Sequence, residues 1–251
     1  MADEKIKNTP RRLLSAIRNG DYAHPGEEEA IELILKELDA LITLPPENIN
    51  VLDAGCGLGG TANYIQLKKH YHVSGIDLDA TSIEHASKHY PNVSFTHDNI
   101  LNILNHYSPQ QFNITYLFNV LYAFSNKTEV LHLLASIAKP GGLLIISDYC
   151  TTDKTNIHLL DLADKPMHPI ALSGIEKTLN DASWKLVKLI DLDDHYRRWY
   201  SGFLEKLKTS KPVILKTFTL DVYEKVEKAF TDILNKLNSG GLGGGIIFAI
   251  K

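Results

Sequence analysis

Cysteine is almost missing from this chain: two thiols, Cys56 and Cys150, in 251 residues. That excludes a disulfide framework and makes a reduced, cytoplasmic setting the expectation. Long apolar runs are missing too, and none approaches the roughly 20 residues that a membrane-spanning helix needs. Met1 to Arg12 is polar and has no apolar signal core. There is no basic surplus. The formal net charge is −4, and the one tight cationic pair, Arg197-Arg198, is flanked by aromatics; a nucleic-acid partner is therefore not expected. No G-x-S-x-G nucleophile signal occurs. Of the 11 histidines, His85 and His89 stand four apart on an expected helix. That spacing can hold a metal, but a solvated helix face is the expectation and no metal site is assigned.

What is present is ordinary in bulk, with 44% apolar and 22% charged residues, and the length suits one large domain or a domain with a cap. One stretch is not ordinary. Val51-Leu52-Asp53-Ala54-Gly55-Cys56-Gly57-Leu58-Gly59-Gly60 runs an apolar strand into glycines at every second position, with an acid two residues ahead of the first. Glycines there let the backbone turn sharply and approach a ligand with no Cβ in the way. Thr61 to His70 reads as a helix, whose first N–H groups face the loop. Gly55, Gly57 and Gly60 also satisfy G-x-G-x-x-G, with Asp77 about 20 residues on, so a dinucleotide is one reading. A pyrophosphate gains nothing from a carboxylate before the first glycine, however, whereas a cationic ligand does.

With Asp53 in that place, the stretch resembles the first motif of the class I S-adenosylmethionine-dependent methyltransferases. His72-Val73-Ser74-Gly75-Ile76-Asp77 resembles the family's second strand, Val93 to Asn99 its third, and Lys139-Pro140-Gly141-Gly142 its turn into the fifth. The fourth strand departs from the pattern, with Phe112-Asn113 where Phe-Asp is usual. The resemblance implies cofactor contacts from Asp53, Gly55, Cys56, Gly57, Gly59, Asp77, Leu78, Asp98, Asn99 and Asn119. In it Asp77 takes the ribose hydroxyls, because a carboxylate can accept both hydrogen bonds. Leu78 covers one adenine face and Asp98 lies near the adenine amino group.

Strands alternate with helices from Ile49 to Cys150, the pattern of a doubly wound parallel sheet. The expected fold is α/β, Rossmann-like, with a seven-stranded mixed sheet. Residues 1–48 are an N-terminal helical cap, 49–192 the cofactor-binding core, 193–239 a helical insertion and 240–251 the final strand. Trp184 to Leu192 reads as the sixth strand, and Ile246 to Ile250, after a flexible Gly240 to Gly245 stretch, as the seventh. Asp221 with Glu224 resembles a capping box ahead of an apolar stripe.

The insertion opens with Asp194-His195-Tyr196-Arg197-Arg198-Trp199-Tyr200, far denser in aromatics than the rest. That run, the glycine-rich final strand and His24-Pro25-Gly26 resemble small-molecule methyltransferases of the sarcosine/dimethylglycine N-methyltransferase type. The acceptor implied is a small molecule, an amine on this resemblance. Methylation at O or C of a quinone, lipid or secondary metabolite is the alternative, and a non-catalytic S-adenosylmethionine-binding module the alternative of another class. His195 is the candidate base, since its ordinary pKa suits neutral pH. Tyr196, Trp199 and Tyr200 are candidates for holding a cationic amine. If they are not the pocket, Tyr22, His24 and Tyr122 are the substitutes.

Overall fold

The computed structural model describes residues 9–18, 20–42, 44–151 and 166–251. Two helices lead: α1 (Pro10–Ile17), capped by the Thr9 hydroxyl, and α2 (Glu27–Leu41), which begins after Gly26 with no side-chain cap and carries three glutamates in its first turn. They precede β1 (Asn50–Ala54), α3 (Gly60–Lys69), β2 (His72–Asp77), α4 (Ala80–His89), β3 (Ser94–His97), β4 (Phe112–Phe118), α5 (Lys127–Ile137) and β5 (Ala138–Thr151). After β6 (Ile170–Ala171) come α6 (Ile175–Asp181), β7 (Lys185–Asp191), α7 (Asp193–Thr209), the one-turn α8 (Lys211–Ile214), α9 (Leu220–Asn238) and β8 (Gly243–Ile250).

The strands run in the order β3-β2-β1-β4-β5-β8-β7, with the two-residue β6 paired to β5 off that path. Pairings are parallel from β3 through β5, and β8 is antiparallel to both β5 and β7. The expected mixed sheet is present, with β6 as an eighth strand too short to show in the sequence. Each face carries its own apolar core. On one, Val51, Ile114, Tyr116 and Ile145 pack with residues of α1, α2, α3, α7 and α9; on the other, Leu52, Leu117 and Leu144 pack with α5 and α6. This split follows from β1 itself, where Val51 and Leu52 project to opposite faces. The chain order reverses between β1 and β4, and the crevice at such a reversal is where ligands sit in open α/β sheets.

Two expectations need correction. The glycine run before the last strand is not a flexible connection, since Gly243, Gly244 and Gly245 lie within β8. A Cβ on Gly244 would sit 2.7 Å from the Tyr196 ring, and one on Gly243 would sit 2.0 Å from Asp193 Oδ1. Glycine is needed because α7 presses directly on the strand. The cap of α9 is also not the Asp221–Glu224 pair: the Thr219 hydroxyl accepts from Val222 N at 3.4 Å, an N-cap two residues earlier.

Candidate functional site

The glycine loop leaves β1 and is fastened to the end of β2. Gly55 N and Cys56 N both donate to the Ile76 carbonyl, at 2.8 and 3.1 Å, and Gly57 N donates to Asp77 Oδ2 at 2.8 Å. Gly55, Gly57 and Gly59 hold φ of 92°, 52° and 86°, the left-handed region that glycine enters without strain. They differ in what surrounds them. A Cβ on Gly55 would meet Val120 Cγ2 at 2.4 Å and one on Gly59 would meet Phe95 Cζ at 2.8 Å, whereas one on Gly57 would find only the Ala23 methyl at 3.7 Å. Protein packing therefore explains Gly55 and Gly59. Gly57 faces space that a ligand can fill.

Asp53, on β1, is buried, and its Oδ2 has no hydrogen-bond partner. Burial pushes its carboxyl up to about 8; the neighbouring Tyr116 offsets part of this and the Asp77 carboxylate adds to it. Such an acid is electrostatically incomplete and calls for a cation. Asp77 lies at the end of β2, its Oδ1 accepting from Asp79 N at 2.9 Å. Leu78, next to it, is 60% exposed, an apolar surface beside the loop. Asp98 accepts from His106 Nε2 at 2.7 Å and from Asn102 Nδ2 at 2.8 Å, which hold its carboxyl down at about 2. Asn99 turns its side chain back to cap the following 3₁₀ turn, accepting from Leu101 N at 3.0 Å.

A second group gathers at the ends of β4 and β5. Asn119 follows β4 with φ 52°. Its Oδ1 accepts from the Tyr196 hydroxyl at 3.3 Å, and its Nδ2 is buried with no partner. Tyr149, near the end of β5, packs edge-on against both Tyr122 and Tyr196, at 5.3 and 5.7 Å between ring centres, and its hydroxyl bonds that of Tyr200. Beneath them lies Asp148, whose Oδ2 accepts from Val120 N and Tyr122 N, each at 3.1 Å, and whose Oδ1 accepts from Tyr149 N at 2.7 Å. Burial still raises this carboxyl to about 7. It ties the β4 and β5 ends together.

The segment between α1 and α2 lies across the loop. The Asp21 backbone sits where a Cβ on Gly60 would be, at 2.7 Å. Asp21 is anchored by His85 Nε2 at 2.6 Å, Tyr90 at 2.8 Å and Ser15 at 2.6 Å. His85 therefore pins this strap, and among the described residues no group of His, Cys, Asp or Glu suited to a metal is present. His24 is buried, 4.5 Å from the Phe118 ring centre, with Nδ1 at 3.1 Å from the Pro25 carbonyl and Nε2 at 3.0 Å from Thr61 Oγ1. A carbonyl only accepts, so Nδ1 carries the proton and Nε2 takes the Thr61 hydroxyl. Burial drives its pKa down to about 3.

Tyr196 stands beside Asn119; His195, one residue earlier, does not. It points to the start of α2, with Nδ1 3.7 Å from Glu29 Oε1 and Nε2 filling the space a Gly26 Cβ would take. Partial burial lowers its pKa. Trp199 is engaged already, stacked on Phe203 at 5.2 Å and covered by the Arg18 guanidinium at 5.0 Å. Arg18 and Tyr149 escaped sequence reasoning. Tyr149 was within reach, because it follows Asp148 at a strand end where the sheet rule places ligands. Arg18 carries no local signal at all.

A model of the methyltransferase domain matches residues 46–194. Phosphoethanolamine N-methyltransferase of Plasmodium falciparum is 30% identical over 207 residues, which are 79% of this chain and 75% of that protein. Phosphoethanolamine N-methyltransferase 1 of Arabidopsis thaliana is 25% identical over 222 residues, 86% of this chain but 45% of that one. The chain spans about half the length of the plant relatives it matches. Among solved structures, Haemonchus contortus phosphoethanolamine N-methyltransferase 2, in complex with phosphomonomethylethanolamine and S-adenosylhomocysteine, superposes with a TM-score of 0.83 at 16% identity, over 97% of this chain and 57% of that one. The [4+2]-cyclase SpnF superposes with a TM-score of 0.75 at 18% identity over 97% of both chains. At such identities the likeness is one of fold, and one fold hosts different chemistries.

Proposed function

Because the chain belongs to the methyltransferase-domain family, with S-adenosylmethionine as its cofactor, we propose that it methylates the nitrogen of a small amine, in the reduced setting its two cysteines suggest. The amine is suggested by relatives named for N-methylation of phosphoethanolamine. The observation that carries the cofactor half is the pairing of an uncompensated buried Asp53 with the open approach at Gly57.

In this reading Asp53 answers the positive charge of the cofactor and Gly57 gives its backbone room. Asp77 takes the ribose, Leu78 covers an adenine face, and Asp98 and Asn99 line the adenine edge. When bound, S-adenosylmethionine supplies a methyl group already activated for attack by a nucleophile. The chain's own task is then to hold the amine in line and keep water out, and such orientation supplies roughly 7–11 kcal/mol of a barrier. Asn119 Nδ2, a buried donor with no partner, and the Tyr122, Tyr149 and Tyr196 rings form the acceptor wall. The reading assigns no strong base. His24 Nε2 already accepts from Thr61 and burial keeps it neutral, the Asp148 oxygens are held by backbone N–H groups, and His195 faces α2. The amine arrives neutral, and its proton is lost to water after transfer.

Calorimetry tests the cofactor half. Asp77→Ala removes the ribose contact and weakens S-adenosylmethionine binding by ~1.5–3 kcal/mol, the range for hydrogen bonds to charged groups. Unchanged affinity in that variant removes the ribose assignment.

A further inference from the structure

The connection from α7 to α9 is apolar on both of its sides. The inward side is complete. Ile214 and Phe218 stand four apart in a run of tight turns, with Phe218 N donating to the Ile214 carbonyl at 2.9 Å. Both are buried in the core that α7 and α9 share. The outward side carries Val213, Leu215 and Leu220, which are 67%, 40% and 48% exposed. Eleven large apolar side chains are exposed among the described residues; these three fall within eight residues of sequence, and Val213 is the most exposed of the eleven. Single exposed apolar residues need no explanation, but a cluster marks a contact surface.

The charge around the cluster has one sign. The fifteen residues from Lys206 to Leu220 hold four lysines and no acid, in a chain whose net charge is −4. Lys206 and Lys208 lie in the last turn of α7 and complement its dipole. Lys211 leans over the Tyr223 ring at 4.5 Å. Lys216 is exposed between Leu215 and Thr217, and no helix end or ring calls for it. The next acid along the chain, Asp221, is held by Lys225 at 2.9 Å, so it does little to offset the patch. The tip is also remote from the acceptor wall. From Tyr196 to Thr209, α7 runs about 20 Å along its axis.

An apolar patch ringed by cations matches the boundary zone of an anionic bilayer, where apolar side chains enter among the acyl chains and lysines stay with the headgroup phosphates. A second copy of the chain fits poorly, because a two-fold contact sets the lysines face to face. A nucleic acid answers the lysines and leaves Val213 and Leu215 without a partner. We propose that the α7–α9 tip seats this protein on the surface of an anionic phospholipid bilayer, with Val213, Leu215 and Leu220 in the interface and the lysines among the headgroups. No helix among the described residues is long and apolar enough to cross a membrane, so the contact is peripheral. It stands apart from the amine-methyltransferase reading and does not depend on it.

The whole chain is sedimented with vesicles of phosphatidylserine in phosphatidylcholine, and with vesicles of phosphatidylcholine alone, at low and at high salt. Saturable binding to the anionic vesicles, stronger than to the neutral ones and weakened by salt, supports the proposal. No binding to the anionic vesicles, or equal binding to both kinds, overturns it. Lys208→Gln with Lys216→Gln lowers partitioning by about 25-fold, at about fivefold for each lysine. Val213→Ser with Leu215→Ser lowers it by about tenfold or more. All four positions are exposed, so both double variants keep the wild-type melting temperature. Binding untouched by the serine pair is adhesion to charge alone and overturns the proposal, as does binding that survives both pairs. Depth is read with Val213→Trp. Its emission, taken as the difference from the wild type, shifts to the blue on anionic vesicles and is quenched by bromine-labelled acyl chains. Emission that stays unquenched puts the tip outside the lipid, and a blue shift produced by an oligonucleotide but not by vesicles assigns the patch to nucleic acid; either result overturns the proposal.

Discussion

Asp53 is a residue whose folded-state pKa, near 8, lies above its ordinary value of 3.8. The folded apoprotein therefore holds a proton that the unfolded chain has released, so this residue lowers stability progressively as pH rises from about 4 to about 8. Asp53→Asn removes the penalty, and its melting temperature exceeds that of the wild-type apoprotein at pH 8 by an amount corresponding to roughly 1–3 kcal/mol. Equal melting temperatures at pH 8 contradict this. The same acid governs the cofactor. A cation beside Asp53 favours the ionised carboxyl, so binding releases a proton near pH 7. Calorimetry in two buffers of different ionisation enthalpy reads that release, and Asp53→Asn abolishes it along with most of the affinity.

At the scale of elements, the glycine loop and the strap behave differently under substitution. Gly57→Val adds side-chain atoms to the space beside Ala23, at a backbone angle that disfavours them by ~1–2 kcal/mol. The fold survives, and cofactor binding is lost. Gly60→Ala meets the Asp21 backbone at 2.7 Å, displaces the strap, and lowers stability by ~1–3 kcal/mol, the range for overpacking. Thermal melts with and without cofactor distinguish the two, and a Gly57→Val protein with normal affinity places the ligand elsewhere. The loop was legible because its glycines answer to their own backbone angles and immediate neighbours. The strap was not, since His24 finds Thr61 and Asp21 finds His85 across 37 and 64 residues of chain. The glycine run of β8 was misread for a similar reason: the need for glycine comes from Asp193 and Tyr196, about 50 residues away.

For the whole molecule, the sheet order sets the site. Strand periodicity and the Pro140-Gly141-Gly142 turn were enough to anticipate a doubly wound sheet, and the reversal between β1 and β4 marks the crevice where such sheets hold ligands. Which face of α7 looks inward was not readable from local composition. His195 and Tyr196 are adjacent in a run of aromatics, yet one meets α2 and the other Asn119. Two buried acids, Asp53 and Asp148, both with raised pKa values, act together on the apoprotein. Its melting temperature falls as pH rises from about 5 to about 8, and saturating S-adenosylmethionine removes the Asp53 share of that slope and leaves that of Asp148. A slope unchanged by the cofactor contradicts contact with Asp53. The most direct measurement of the central claim is mass spectrometry of the protein incubated with methyl-labelled S-adenosylmethionine and a panel of small amines. The account predicts labelled N-methyl amine and S-adenosylhomocysteine in equal amounts. Cofactor that binds, raises the melting temperature and yet remains intact with every amine contradicts it.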